Sequence, residues 1–430
     1  MTEITAPTTL STLWDEVRLQ ERPPLPLVRH AQVVAWLQRL QQTAPDLFRV
    51  EEVGRSVEER AIHHVEVGQG PRHVLFWSQM HGDEPTATTA LFELFEYLRR
   101  YRQEARVEQV LAALTLHVVP LLNPDGAERF QRFNAQGIDI NRDALMLQTP
   151  EGRTLKALRD RLQPSLGFNL HNQDWRTAVG RTGKPASISL LAPAFDEARS
   201  DNPGRLLCKK VCAVIRDALD PLVPGQLGRY SDAFEPRAFG DNMGLWGTPS
   251  VLIETGPWPG RQTEAPLLRL NFVALVSALE ALSNGRAELA SLERYDSIPL
   301  NDSKGLLHVI VKGAHVFGEA GEAFVADIGV AASPVVRARE GILRARVVGM
   351  IAELGDLRVF GAIETVDAQG LTAVPLPPGD VKEGDIVPLP ARRECEVGVG
   401  QLAKLMLLRP EEPPGAWRVE RILRVDYASS

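Results

Sequence analysis

The chain has 430 residues, 44% of them hydrophobic and 24% charged, with a formal net charge of −7. That balance excludes a disordered or collagen-like polypeptide, removes the broad electrostatic case for a nucleic-acid partner, and, with three cysteines, excludes a disulfide scaffold and fits a reducing, cytoplasmic setting. The start lacks the basic and apolar segments of a secretory signal, and the most apolar run, Leu267 to Leu282, is interrupted by Arg269, Asn271, Ser277 and Glu280, so no membrane span is expected.

Residues 1–28 read as a leader with one short helix, ending at Pro23-Pro24. A catalytic-sized domain is expected over 29–290. In it, His30 to Gln42 is helical, Ala61 to Val67 and His73 to Gln79 are strands, and Thr86 to Tyr101 is a helix with one apolar stripe. Leu114 to Leu122 is an apolar strand that stops at the turn Asn123-Pro124-Asp125-Gly126. Further strands are expected at Ser165 to Leu170, Ile188 to Ala192 and Ser250 to Ile253, with helices near 150–163, 203–219 and 266–283. Apolar strands alternating with helices predict an α/β fold whose sheet is covered by helices on both faces.

After Asn284-Gly285 the helical periodicity fades. Short β-rich runs follow at Leu306 to Val311, Gly341 to Ile351, Leu357 to Thr365 and Trp417 to Val425, separated by turns rich in Gly, Pro and Asp. Residues 300–430 therefore read as a smaller, mostly-β accessory domain without a chemical motif of its own.

The strongest local signal is Gln79-Met80-His81-Gly82-Asp83-Glu84-Pro85. An imidazole and a carboxylate three residues apart on a strand-to-helix turn can converge on one cation, and zinc accepts both donors. Alone the pair is weak, since a loop histidine and a carboxylate in a helix's first turn would look the same. Two other apolar strands also end in chemistry: Phe168-Asn169-Leu170 runs into His171, and Val251-Leu252-Ile253 into Glu254. Sites in open α/β sheets form outside the carboxyl ends of strands, and a glutamate ending a VLI run is costly unless paired, protonated or near a metal. Between them a long polar loop, from Asn123 to Asp143, is dense in arginine, whose planar fork matches carboxylates. Gly137 to Asn141 alternates like a short edge element.

Taken together, HGDE, NPDG, the Arg132 to Arg142 loop, the strand-end His171 and Ile253-Glu254-Thr255 resemble the zinc carboxypeptidase family over roughly residues 60–282. The resemblance implies that fold, with a mixed sheet, and one zinc ion held by His81, Glu84 and His171. It implies that Asn141 and Arg142 grip a terminal carboxylate, that Arg132 polarises the scissile carbonyl, and that Glu254 is the general base. The family's mobile tyrosine falls most nearly on Tyr230, 24 residues before Glu254, in a local context that departs from the pattern. Arg237 and Asp241 share that loop and could face the substrate side chain or form a surface salt bridge; residues 230–248 are expected to line the pocket.

The implied activity is zinc-dependent hydrolysis of a C-terminal peptide bond. HGDE also looks like the motif of the aspartoacylase and succinylglutamate desuccinylase group, whose members deacylate N-acyl amino acids and can carry an extra β domain. The expected partner is thus a peptide or N-acyl amino acid with a free carboxylate, with no nucleic acid or membrane; the oligomeric state is not legible. A non-catalytic carboxylate binder would lack a ligand or the base, yet all four residues are present. Cys208 and Cys212, four apart on a helix, read as core. His63, His64, His73 and His117 read as structural or surface positions.

Overall fold

The computed structural model describes residues 4–260, 264–340 and 342–428; the ends of the expected leader and β domain, and Gly341, lie outside this range. The chain folds as two compact units, one built from residues 1–173 and 186–301, the other from 174–185 and 302–429.

In chain order the first unit contains α1 (Pro7–Val17), α2 (His30–Thr43), β1 (Phe48–Arg55), β2 (Ala61–Gly68), β3 (Arg72–Ser78), α3 (Thr86–Arg100), α4 (Ala105–Ala113), β4 (Leu114–Val119), α5 (Pro124–Arg129), α6 (Pro150–Leu162) and β5 (Leu166–Asn172). The two-residue β6 (Ala178–Val179) falls in the segment that belongs to the second unit. The first unit resumes with β7 (Ile188–Leu191), α7 (Pro203–Leu219), β8 (Leu227–Arg229), α8 (Phe239–Leu245), β9 (Ser250–Thr255), α9 (Glu264–Ser283) and α10 (Leu292–Asp296). Several helix starts are written in the sequence. The side chains of Asn123, Thr149 and Asn202 each accept a backbone N–H of the first turn, and each is followed by proline, whose missing donor costs nothing there.

The eight strands form one mixed sheet in the order β1-β2-β4-β3-β5-β9-β7-β8. The central β4, β3, β5 and β9 are parallel neighbours, while β2 joins β4 and β7 joins β9 in antiparallel fashion. One face packs Val74, Phe76 and Phe168 against α3, α7 and α9. The other packs Leu75 and Trp77 against Leu155 and Leu158 of α6 and Phe239 and Met243 of α8. Phe76 and Phe168 stack at 4.6 Å across β3 and β5, each burial worth about 1.5–3 kcal/mol. The α9 helix has the length and apolarity of a membrane span, but 83% of that window is buried within the protein. Cys208 and Cys212 are core residues of α7.

Three expectations are corrected. Residues 4–28 are not a separate leader: Leu10, Trp14, Val17, Leu25 and Val28 sit in the same core as the sheet. Buried glutamates hold this segment. Glu280 accepts the Thr5 N–H at 2.6 Å, Glu93 accepts Trp14 Nε1 at 2.7 Å, and Glu264 accepts the Leu25 N–H at 2.9 Å. Residues 174–185 group with the β unit rather than with the catalytic-sized domain, because Trp175 packs on the β-unit core. Gly137 to Asn141 is no edge strand; it leads into a single 3-10 turn, Ile140–Arg142, capped by Asp139.

The second unit carries a nine-stranded sheet. Its long arms, Ala323–Arg339 and Ile342–Gly355, pair antiparallel along their length. Its core gathers Val309, Val311, Ile328, Val330, Val347, Leu405 and Leu407.

Candidate active site

The carboxyl ends of β3, β5 and β9 lie side by side. Ser78 pairs with Leu170, and His171 pairs with Glu254. The HGDE turn leaves β3 through Gln79, which takes a left-handed backbone at φ 50°. A Cβ at Gly82 would come within 2.0 Å of the Gly126 carbonyl carbon, so only glycine lets the HGDE turn press on the NPDG helix start. Asn123 ties the two loops together: its Oδ1 accepts the Gly126 N–H at 2.9 Å, and its Nδ2 donates to Met80 O at 3.2 Å and Arg132 O at 3.3 Å.

These turns bring His81, Glu84 and His171 together. Among the described residues they form a buried group whose ligand-type atoms all lie within 4.8 Å of one another. Glu84 divides its oxygens, Oε1 lying 2.7 Å from His81 Nδ1 and Oε2 2.7 Å from His171 Nδ1. The two Nδ1 atoms are 3.2 Å apart. The Asn172 N–H also donates to Glu84 Oε2 at 3.1 Å.

Asp139 completes this arrangement. Its Oδ1 lies 3.0 Å from His81 Nε2, and its Oδ2 receives Arg132 through Nε at 3.0 Å and Nη2 at 2.9 Å. The remaining Arg132 nitrogen, Nη1, reaches to 3.2 Å from His81 Nδ1 and 3.5 Å from Glu84 Oε1. The cap of the 3-10 turn fixes Asp139, since its Oδ1 also accepts the Asn141 N–H at 2.9 Å. Asp139 touches the candidate metal donors although the sequence motifs do not single it out; an acidic cap just before a one-turn helix is the signal that could have found it.

The charges explain the titration behaviour. Burial acts to lower the pKa of His81, but the Glu84 charge and the bonds to Asp139 and Glu84 outweigh it and raise it to about 9. Glu84 is held well below the usual carboxylate range, against its burial, by the two imidazoles. Burial drives His171 down, against the pull of Glu84. Glu254 is pushed well up by burial, then by the nearby Glu84 charge.

These donors fit a metal. Two imidazole nitrogens and a carboxylate are a donor set of hydrolytic zinc sites. A carboxylate on the far nitrogen of a ligand histidine, as Asp139 is on His81, fixes the ring and its tautomer. Two buried polar atoms beside the cluster, His171 Nε2 and Glu254 Oε2, have no hydrogen-bond partner. An unpaired carboxylate next to the donors is costly without a cation or a polar ligand.

The other expected residues fall in three places. Asn141 and Arg142 lie on the 3-10 turn after Asp139. Asn141 Oδ1 accepts the Phe239 N–H at 3.0 Å, and Arg142 Nε lies 3.5 Å from Glu235 Oε2. Arg237 also binds Glu235, through Nε and Nη2 at 3.0 Å each, and Asp241 Oδ1 accepts the Glu235 N–H at 3.0 Å. These two thus make the surface ion pair and loop contact that the sequence left open. Tyr230 follows β8, where its N–H donates to Leu190 O at 3.3 Å, two strands out from Glu254.

The cluster of His81, Glu84 and His171 lies where the chain matches known proteins, whereas Glu254 lies beyond the matched stretch. Residues 33–174 match the family model described as zinc carboxypeptidase, a stretch that holds His81, Glu84, Arg132, Asp139, Asn141, Arg142 and His171. The human carboxypeptidase N catalytic chain is 30% identical over 142 residues, covering 28% of this chain and 31% of that protein. Mouse carboxypeptidase D is 27% identical over 125 residues, covering 25% of this chain and 9% of that protein. This chain thus spans a third or less of the length of these curated relatives. Among solved structures, a metallo-carboxypeptidase from Pseudomonas aeruginosa in complex with (2-guanidinoethylmercapto)succinic acid aligns at TM-score 0.47 and 20% identity, over 59% of this chain and 68% of that one. Bovine thrombin-activatable fibrinolysis inhibitor aligns at TM-score 0.48 and 12% identity, over 61% and 98%. Over residues 33–174, then, this chain is similar to zinc carboxypeptidases.

Proposed function

We propose that the chain is a zinc-dependent metallocarboxypeptidase that hydrolyses the C-terminal peptide bond of a substrate with a free carboxylate. The observation that carries this reading is the meeting of His81 Nδ1, Glu84 and His171 Nδ1 beside the unpartnered Glu254 Oε2. His81, Glu84 and His171 would hold the ion. Bound zinc supplies Lewis acidity, lowering the pKa of water toward neutrality and polarising a carbonyl.

The remaining roles belong to the protein. Glu254 takes the proton of the attacking water at its free carboxylate oxygen and returns it to the leaving amine. Asp139 holds Arg132 by two nitrogens, which leaves Nη1 to donate to the developing oxyanion. Asn141 and Arg142 receive the terminal carboxylate and so align the last peptide bond with Glu254. Asn141 uses its oxygen on Phe239, so its Nδ2 hydrogens serve as donors. Arg237 and Asp241 shape the loop beside that seat, and Tyr230 is assigned the mobile tyrosine's part. The free, buried state of all three cysteines supports a reducing, cytoplasmic compartment.

The alternative, deacylation of N-acyl amino acids at the same site, has only the presence of the β unit in its favour. Metal analysis combined with kinetics tests the proposal. Blocked dipeptides with a free C-terminus should be turned over by protein holding about one zinc per chain, and their C-terminal amides should not. A clear preference for N-succinyl or N-acetyl amino acids would overturn it.

A further inference from the structure

The carboxylate seat is already in contact with a carboxylate of the chain itself. Glu235 Oε2 lies 3.5 Å from Arg142 Nε, while the same carboxylate is held in bidentate fashion by Arg237 at 3.0 Å. The loop that carries Glu235 is stapled at two further points, one on the Asn141–Arg142 turn and one just after it. The Phe239 N–H donates to Asn141 Oδ1 at 3.0 Å, and the Ala144 N–H donates to Arg237 O at 3.1 Å. Its backbone is fixed from the other side by Asp241, which accepts the Glu235 N–H, and by Asn242 Nδ2, which donates to Pro236 O at 2.7 Å.

We infer that Glu235 is an internal stand-in for the substrate's terminal carboxylate, and that substrate takes Arg142 by exchange with it. This rests on the assignment of Arg142 as the carboxylate seat. The charge arithmetic favours exchange over simple filling. Two guanidiniums, Arg142 and Arg237, share one carboxylate before substrate arrives; afterwards there are two of each. Glu235 needs no new partner when it yields Arg142, because Arg237 already holds both its oxygens. The contact given up is long and partly exposed, with side chains 37% and 31% accessible, so it opposes substrate only weakly. Asn141 and the backbone staples are untouched, so the loop stays docked while one ion pair changes hands. Glu235 thereby sets a threshold: an anion must offer Arg142 better geometry than this long contact to enter.

The test uses full-length, zinc-loaded protein made inactive by Glu254→Gln, with benzoyl-Gly-Phe and its C-terminal amide as calorimetric probes. The parent should bind the acid more tightly than the amide. Adding Glu235→Gln should tighten the acid by roughly two- to five-fold, the scale of one exposed ion pair, and leave the amide unchanged. Adding Arg142→Ala as well should abolish that gain. Glu235→Ala, which keeps no polar head, should repeat the effect if removal of charge is the cause. If the parent prefers the acid, Arg142→Ala removes that preference, and neither Glu235 variant tightens the acid, the seat stands and the exchange is wrong. If the parent does not separate acid from amide, the seat assignment fails and the exchange falls with it.

Discussion

His171 and Glu254 face each other as register partners on two parallel strands, yet only His171 is engaged with Glu84. Glu254 Oε2, one strand over, has no partner. The sheet thus places a candidate metal donor and the proposed base at the same level while keeping their contacts separate. Substitutions should therefore separate them as well.

Glu254→Gln keeps size and removes proton affinity. Zinc content should remain near one per chain while kcat falls by about 10²–10⁴-fold, the range for loss of a positioned base. Elemental analysis alongside steady-state kinetics reads both. A variant that keeps near-normal kcat would show that Glu254 is not the base.

His171→Ala removes a proposed ligand and leaves Glu84 with one imidazole. Zinc should be lost on dialysis, and activity with it. Zinc added to the metal-free wild type should raise Tm, because a ligand that binds only the folded state stabilises it. The variant should show little or no such shift. An equal shift in both would place the ion elsewhere.

Asp139 and Arg132 touch each other and His81, but their variants should differ. Asp139→Asn loosens the ligand histidine and should weaken zinc binding by about 10–100-fold. Arg132→Ala should retain zinc and lower kcat by about 10²–10³-fold, the scale for one oxyanion donor. Competition with a chelator for zinc distinguishes the two; equal zinc affinity in both variants would contradict the division of labour.

A second group of histidines sets a pH dependence of stability. His64 Nε2 lies 3.0 Å from His117 Nδ1, and His117 Nε2 lies 2.9 Å from His73 Nδ1, a chain across β2, β4 and β3. Glu51 is 3.0 Å from His64 and Glu66 is 3.7 Å from His117, with Arg161 on Glu51. Burial, then the neighbouring imidazoles His64 and His73, push His117 down to about 3, against an ordinary value of 6.5. The folded state therefore binds fewer protons than the unfolded chain, so stability rises with pH across this window. It is fully present above about 6.5 and is lost as pH falls toward about 3. The urea midpoint should drop between pH 7 and pH 5, and His117→Gln should flatten that slope. An unchanged slope in the variant would remove His117 as the cause.

Much of the sheet is legible because parallel strands covered on both faces must be apolar throughout. Leu114–Val119 is buried at every position, and it reads as a strand at sight. The edge strand Phe48–Arg55 does not, because its pattern FRVEEVGR is mostly half-exposed and polar. The arm Ala323–Arg339 is missed for a related reason: much of it is exposed and its outer half carries arginines. Within the site, residues at strand ends are legible because an apolar run points to them. Asp139 and Glu235 are not, since their roles depend on which loops meet, and Gly82 against Gly126 decides that in three dimensions. The helix Pro7–Val17 shows its burial only once Glu93 and Glu280 are seen to receive Trp14 and Thr5.

The twelve residues that follow the strand ending in His171 and its neighbour, 174–185, leave the first unit, join the β unit and return. There Trp175 packs on the β core, Arg176 Nη2 donates to Glu353 at 2.9 Å, and the Leu306 N–H donates to Arg176 O at 2.9 Å. The β unit is consequently not an appendage that a stop codon near position 302 could trim away. Such a truncation would strip an indole and a guanidinium of their surroundings only a few residues downstream of His171.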